Sequence, residues 1–422
     1  MNAVYFDARE TRDPTERESA LMAALPTLLA HAKAHSPAQA QRLAHVEAQA
    51  VTTRAALAQL PVLRKHDLLV QQQAARAAGG DPFGGFSASG WNGLRLPRAA
   101  KRVFQSPGPL YEPQGQEPDS WRMARALYAA GFRRGDLVHN SFSYHLTPAG
   151  AIMEEGALAL GCTVFPGGVG NTELQLQAML DLRPHGYCGT PSFLKIALEK
   201  AAEQQLQLPS LRKALLSGEA FPPSLRDWLR TRGVEGYQCY ATADIGLIAY
   251  ETEAREGLVL DEQVIVEIVG PDGLPVGEGE VGEVVVTSFD ADYPLIRFGT
   301  GDLSAVLPGH CPSGRTGTRI KGWMGRADQT TKVRGMFVHP SQIQDVTRRF
   351  PELGRVRLVV SGEMASDVMA LQAECAVPGD ALRVRVAEAV REVTKLRGDV
   401  QWCAVGSLPD DGKLIDDQRS YQ

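Results

Sequence analysis

Between residues 136 and 241, short apolar runs alternate with helical patterns of about ten residues. The runs lie at 137–142, 162–166, 186–190, 215–218 and 236–241, and the helical patterns at 149–160, 172–182, 191–204 and 222–232. A strand that leads into a helix and then into another strand needs a crossover connection, and crossovers make neighbouring strands parallel. Strands in such a sheet are covered on both faces and read as continuous apolar runs. The alternation therefore predicts an α/β fold, with a mainly parallel sheet flanked by helices.

The pattern differs on either side. Residues 15–78 are helical by periodicity, with Leu21, Met22, Leu25, Leu28 and Leu29 on one stripe and an Ala/Gln-rich continuation over 38–60. Leu60-Pro61 then breaks the helix, and 79–97 is dense in glycine and proline, which predicts a mobile loop. After residue 250 come runs at 264–269, 282–288 and 295–306 joined by turn residues such as Pro271-Asp272-Gly273, the pattern of a small antiparallel meander. Beyond 339 the helical patterns 340–350 and 380–395 intersperse with strands at 356–361, 368–376 and 400–403. A chain of 422 residues is too long for one core. The expected division is a large domain, 1–327, and a small α/β domain, 328–422. The large domain comprises a helical start at 1–78, a core at about 100–250 and a β subdomain at about 260–320. The segment between them holds the turn-formers Gly322, Gly325 and Asp328 and ends at His339-Pro340-Ser341, a helix start.

A net charge of −5 offers no field for nucleic acid or an anionic membrane, and no stretch is long enough to span a bilayer. The charged N-terminus lacks the pattern of a signal peptide, and the six cysteines contain no CxxC pair. Reduced thiols in a cytoplasmic protein are expected.

Five short segments stand in a telling order: Ser217-Gly218-Glu219-Ala220, Tyr240-Ala241-Thr242-Ala243-Asp244, Arg297-Phe298-Gly299-Thr300-Gly301-Asp302, Gly325-Arg326-Ala327-Asp328 and Gly412-Lys413. Each alone is an ordinary strand end or turn. In this order they resemble the motifs of the adenylate-forming enzymes, the acyl-CoA synthetase superfamily, and most of all its phenylacetate–CoA ligase branch. The resemblance runs from about residue 55 to the end, and Leu60 to Lys65 is similar to the family's LPxxxK entry.

The resemblance implies roles. Ser217, Gly218 and Glu219 would border the adenine and Tyr240 would flank it, while Asp302 would accept hydrogen bonds from both ribose hydroxyls. Arg326 would belong to the nucleotide site, and Asp328 would be the hinge on which the small domain turns. Asp244 would hold Mg2+ on the phosphates; it is one methylene shorter than the family's glutamate, and Thr242 stands in for the hydroxyl that Ala243 lacks. Lys413 would lie between the carboxylate and the α-phosphate during adenylation. Phe142, Tyr144, His145, Pro166, Gly167, Gly168 and Ala241 would line a pocket for a flat acyl group, although His145 also reads as a neutral packing residue. Lys332, Arg334 and Gly335 would meet coenzyme A. By the same resemblance, His310-Cys311 would join Cys239 if a zinc were present.

One motif is eroded. Where the family has a Ser/Thr/Gly-rich phosphate loop ending in Lys-Pro, this chain has Ser106-Pro107-Gly108-Pro109-Leu110-Tyr111-Glu112-Pro113. Two prolines remove N–H donors, the threonine hydroxyls are gone and Glu112 replaces the lysine, which predicts a poor grip on β- and γ-phosphates. Ser87-Ala88-Ser89-Gly90 is the other stretch of suitable composition. The implied function is ATP-dependent ligation of an aromatic carboxylic acid to coenzyme A by way of an acyl-adenylate, with ATP, Mg2+ and coenzyme A as cofactors and a homodimer as the assembly. An adenylate-forming enzyme that acylates an amine or carrier protein, or a non-catalytic nucleotide-binding relative, are the alternatives. A nicotinamide-dinucleotide fold is excluded, because no G-x-G-x-x-G opens a helix after the first strand.

Overall fold

The computed structural model describes residues 4–90, 100–106, 109–327, 329–362, 366–409 and 413–419, and the chain divides into two units, Met1–Met324 and Gly325–Gln422. Asp328, Pro107, Gly108, Asp410, Asp411, Gly412 and residues 91–97 of the Gly/Pro-dense stretch lie outside the described residues.

The first unit opens with α1 (Pro14–His35), capped by the Asp13 carboxylate, which accepts the Thr15 and Glu16 amides. Its stripe of Leu25, Leu28 and Leu29 packs against Leu57, Ile265 and Ile296. The helical pattern over 38–60 is not one helix. It breaks into α2 (Pro37–Arg42) and α3 (Arg54–Ala58), because the Ser36 and Thr53 side chains each cap a new start and Pro37 has no N–H to continue the old one. Then follow β1 (Leu63–Arg64) and α4 (Lys65–Ala77). The described part of the expected mobile loop is anchored, with Phe83 and Phe86 buried and the Asp81 carboxylate accepting the amides of Phe83 and Gly85. The described residues matched to the phosphate loop belong instead to two antiparallel paired strands, β2 (Arg102–Ser106) and β3 (Leu110–Gln114).

The alternating region builds α5 (Met123–Ala129), β4 (Leu137–Asn140), α6 (Ala149–Ala159), β5 (Thr163–Pro166), α7 (Thr172–Leu182), β6 (Gly186–Gly189), α8 (Pro191–Glu203), β7 (Lys213–Leu216), α9 (Pro223–Arg230) and β8 (Glu235–Thr242). Its five strands are parallel in the order β5-β4-β6-β7-β8. The chain steps from β4 to β5 on one side and to β6 on the other, so a crevice opens at the carboxyl ends beside β4. Two strands that periodicity did not show, β9 (Gly246–Glu251) and β10 (Leu258–Leu260), extend this sheet antiparallel. Every residue of β9 is buried, so it carries no polar alternation to read.

A second sheet contains β11 (Val264–Val269), β12 (Gly282–Ser288) and β13 (Phe298–Ser304) as the expected antiparallel meander, with β1 added parallel to β13. The short strands β14 (Val306–Leu307) and β15 (Arg319–Ile320) return to the first sheet beside β10. Ile248, Ala249 and Leu258 of one sheet meet Val266, Val284 and Phe298 of the other in a single core.

The second unit begins with the hairpin β16 (Thr331–Val333) and β17 (Met336–Val338). Its two-residue turn, Arg334-Gly335, has φ of 48° and 82°, the double left-handed geometry that a twisted hairpin favours. Then come α10 (Pro340–Arg349), β18 (Leu353–Ser361), β19 (Val368–Cys375), α11 (Asp380–Thr394), β20 (Asp399–Cys403) and β21 (Ile415–Asp417), with sheet order β20-β19-β18-β21. Ile343 and Val346 of α10 and Val386 and Val390 of α11 pack on Leu358, Val360 and Leu371.

Arg297 fixes the entry to β13. It is 1% exposed, its Nε donates to Glu267 Oε2 at 2.9 Å, and its other nitrogens reach the carbonyls of Ala58, Leu60 and Gly273. One planar fork thus staples three segments, which an ammonium group cannot do. Arg297→Met would strand the Glu267 carboxylate in the core, a loss of about 3–5 kcal/mol. Urea unfolding should show it, and a loss below about 1 kcal/mol would dismiss the clamp.

Candidate nucleotide and acyl site

Open parallel sheets bind ligands where the strands end, because helix N-termini and loose backbone converge there. Ser217 and Gly218 follow β7, Tyr240 to Thr242 close β8, and Pro166 closes β5. The Ser217 hydroxyl donates to the Cys239 carbonyl at 2.9 Å, Gly218 has φ of +78°, and Glu219 Oε2 accepts the Ser192 amide in the first turn of α8. The Tyr240 hydroxyl donates to Asp302 Oδ2 at 2.8 Å and lies 3.0 Å from Thr300 Oγ1. Trp323 Nε1 donates to Asp302 Oδ1 at 3.1 Å. A carboxylate accepts hydrogen bonds at both oxygens, the chemistry that vicinal hydroxyls need. Nothing in the motif pattern pointed to Trp323; it stands just before the Gly-Arg-x-Asp segment and comes to Asp302 by the fold.

The turn after β8 carries the next two groups. Thr242 Oγ1 accepts the Ile245 amide at 3.2 Å, which closes the turn. Asp244 is nearly enclosed, its side chain 3% exposed, and its Oδ2 accepts from Lys65 Nζ at 2.9 Å. Lys65 stands at the start of α4, where the LPxxxK resemblance ends. Beside Asp244 lies Glu112 of β3, buried and accepting from the Ser106 hydroxyl at 2.6 Å. Burial pushes the Glu112 carboxyl well above the usual carboxylate range, and the Asp244 charge adds to this while Lys65 opposes it. The hairpin register puts Leu110, Glu112 and Gln114 on one face of β3, so the glutamate that replaces a lysine in the motif turns inward. The strand pairing at Ser106 and Leu110 leaves a hairpin where the family's loop would cradle phosphate. Ser87 and Ser89 hydroxyls are 2.9 Å apart and the Gly90 amide donates to Ser87, so that stretch also closes on itself.

On the acyl side, Asn140 Nδ2 donates to the Tyr144 hydroxyl at 2.7 Å and to the Gly150 carbonyl at 2.8 Å. Burial and the neighbouring Glu154 push the Tyr144 phenol above its ordinary range, so it stays protonated. Phe142 is half-buried, as is Ala241 at a bulge in β8. His145 is exposed, which removes the packing reading: its imidazole has no core to fill. The histidine that does pack is His139, which the motif pattern did not single out. It is 1% exposed, 2.7 Å from Gln175 Oε1 and stacked on Phe165. Burial lowers its pKa and keeps it neutral. Gln175 Nε2 in turn donates to the carbonyls of Gly168 and Gly170. A Cβ on Gly167 would stand 2.7 Å from Gln175 Oε1 and 2.8 Å from His139 Nε2, so glycine is obligatory where the backbone crosses this pair.

In the second unit Lys413 is exposed just before β21, in a cavity of about 460 Å³ that Arg348, Arg355 and Arg357 also line. Arg326 is half-buried. Lys332 Nζ lies 5.8 Å from the Phe337 ring centre. Arg334 Nε and Nη2 donate to the Asp367 carbonyl, and its amide to the Asp367 carboxylate, so this guanidinium holds the β16–β17 turn beside Gly335. Among the described residues no group of three or more His, Cys, Asp or Glu forms a metal cluster. The zinc arrangement fails on position: Cys239 and Cys311 sit in an apolar core, burial pushes the Cys239 thiol up to about 12, and His310 is exposed. Asp244 does fit a hard cation, because its Oδ1 is buried and has no hydrogen-bond partner.

Residues 144–289 match the family described as AMP-binding enzyme. The phenylacetate-coenzyme A ligase of Thermus thermophilus is 33% identical over 266 residues, which is 61% of this chain and 60% of that relative. The enzyme of the same name from Pseudomonas putida is 29% identical over 397 residues, 88% of this chain and 87% of that one. The first of these alignments thus spans less than two-thirds of the relative's length. A solved 2-hydroxyisobutyryl-CoA ligase, in complex with 2-HIB-AMP and CoA, superimposes with a TM-score of 0.83, at 24% identity, over 100% of this chain and 94% of that one, a likeness of fold. Residues 144–289 thus match an AMP-binding enzyme domain, and the chain is similar to phenylacetate-coenzyme A ligases.

Proposed function

We propose that this chain is an AMP-forming carboxylate–CoA ligase. Asp302 carries the reading: a carboxylate held from both sides, by Tyr240 and Trp323, at the end of the strands where a nucleoside would lie. In the first half-reaction an oxygen of the acid attacks the α-phosphorus of ATP and pyrophosphate leaves. In the second, the thiol of coenzyme A attacks the acyl carbon and AMP leaves. Activation is needed because a carboxylate is a poor electrophile.

The residues divide the work. Ser217, Gly218 and Glu219 border the adenine beside Tyr240, and Asp302 anchors the ribose. Thr242 and Asp244 face the phosphates, where Mg2+ on Asp244 would neutralise charge. Lys413 offsets the two anions that must meet in adenylation. Arg326 and the hinge residue Asp328 keep the roles that the family motif gives them, and Lys332, Arg334 and Gly335 that of coenzyme A binding. Phe142, Tyr144, Ala241 and the Pro166-Gly167-Gly168 turn form the acyl pocket, and a flat aromatic acid is the proposed substrate. Six free cysteines fit a cytoplasmic setting, and among the described residues no helix is long and apolar enough to cross a membrane. The direct experiment is acid-dependent ATP–pyrophosphate exchange over a panel of aromatic and branched aliphatic acids, followed by thioester detection with coenzyme A. Exchange with no acid in the panel would overturn the proposal.

Two variants separate the roles. Asp302→Ala leaves the ribose hydroxyls unpaired, at about 1–3 kcal/mol each, so AMP and ATP should both bind more weakly by calorimetry. Unchanged AMP affinity would remove Asp302 from the site. Lys413→Ala should lower adenylate formation by about 100-fold or more while thioester formation from preformed acyl-adenylate is largely kept. Equal losses in both half-reactions would count against the assigned role.

A further inference from the structure

Beside Asp244 this chain holds a second acid that the family's phosphate loop does not have. Glu112 is 4% exposed and the Asp244 side chain 3%. One oxygen of each is accounted for, Glu112 Oε1 by the Ser106 hydroxyl at 2.6 Å and Asp244 Oδ2 by Lys65 Nζ at 2.9 Å. The other oxygens, Glu112 Oε2 and Asp244 Oδ1, are buried without a hydrogen-bond partner, and the Asp244 charge acts on Glu112. The phenol oxygen of Tyr293, buried near both acids, also has no partner. Two acids beside Lys65, the cation bonded to Asp244 among the described residues, cannot both stay charged in a place with almost no water unless something positive, a proton or a cation, joins them.

We infer that Glu112 and Asp244 together hold one hard divalent cation, magnesium or manganese, with Glu112 a metal ligand that this chain supplies in addition to Asp244. The donors are oxygens alone, which suit such ions and not zinc or copper. Charge bookkeeping along the motif favours the same occupant. Replacing the loop lysine by glutamate removes a positive charge from the phosphate end of the site and adds a negative one, and a divalent ion on Glu112 reverses both changes. The inference rests on the nucleotide-site reading for its purpose, but binding of the ion needs no nucleotide.

The test uses Mn2+ alone, titrated into the nucleotide-free full chain, with free Mn2+ read by electron paramagnetic resonance. One saturable site per chain is expected, displaced by excess Mg2+. Glu112→Gln, the same size without the charge, should weaken Mn2+ binding about tenfold or more, with an unchanged circular dichroism spectrum. Should that variant fold poorly, the wild-type melting temperature serves instead, since a bound ion must raise it with Mn2+ concentration. Absence of a saturable site, a flat melting temperature, or equal affinity in Glu112→Gln would overturn the inference and leave a shared proton between the carboxyls. AMP calorimetry on the same sample keeps the two questions apart. AMP binding without Mn2+ binding overturns only the metal pair, and Mn2+ binding without AMP binding overturns the nucleotide reading.

Discussion

The hydrogen bond from the Tyr240 hydroxyl to Asp302 joins the two sheets of the first unit at the point where function is proposed. Tyr240 ends a strand of the parallel sheet and Asp302 lies on a strand of the antiparallel one, so neither sheet alone contains the site. The apolar contact between the sheets sets their spacing, and a hydrogen bond of 2.8 Å tolerates little change in it. This makes the distant clamp at Arg297 part of the same device. By tying the start of β13 to β11 and to the segment before β1, Arg297 fixes the strand from which Asp302 projects.

Buried charge recurs throughout this unit. Glu10, 1% exposed, accepts from Arg315 Nε, Arg125 Nη1 and the Tyr250 hydroxyl, and so stitches the N-terminal segment to the first sheet. Arg17 does the same with Glu262. In these clusters each acid meets an arginine, and the guanidinium fork satisfies several acceptors at once. The Glu112–Asp244 pair differs: the cation hydrogen-bonded to Asp244 is Lys65, a point charge on a partly exposed stem. A buried acid pair in which each member has an unpartnered oxygen is a candidate functional position.

Much of this was legible in the chain. The alternation of runs and helices placed the five parallel strands and their helices, since crossover geometry leaves few alternatives. Motif order singled out Ser217, Tyr240, Asp244 and Asp302; the first three sit at or just after the ends of β7 and β8, and Asp302 lies within β13. Periodicity was blind to β9, buried on both faces, and to the breaks at Ser36 and Thr53, where side-chain caps outweigh a good helical composition. His139 and Gln175 were invisible for another reason. Their pairing joins two elements 36 residues apart, and no local pattern marks a histidine whose work is to hold a glycine turn.

Glu112 shows most plainly why a motif comparison and a physical reading can part company. Aligned to a phosphate loop, it is a lost lysine, and the surrounding prolines are lost donors. Folded, the described residues pair as two antiparallel strands, in which Pro113 lies opposite Val103 and alternate side chains face inward. The pleat therefore turns a carboxylate inward at the position that the motif comparison matches to an ammonium group. A phosphate is attracted by an ammonium directly, and by a carboxylate only through a cation between them. Under the proposed function, replacing the lysine with glutamate changes the recognition of phosphate from a direct contact to one that depends on a third component, held against Asp244, the acid proposed to face the phosphates.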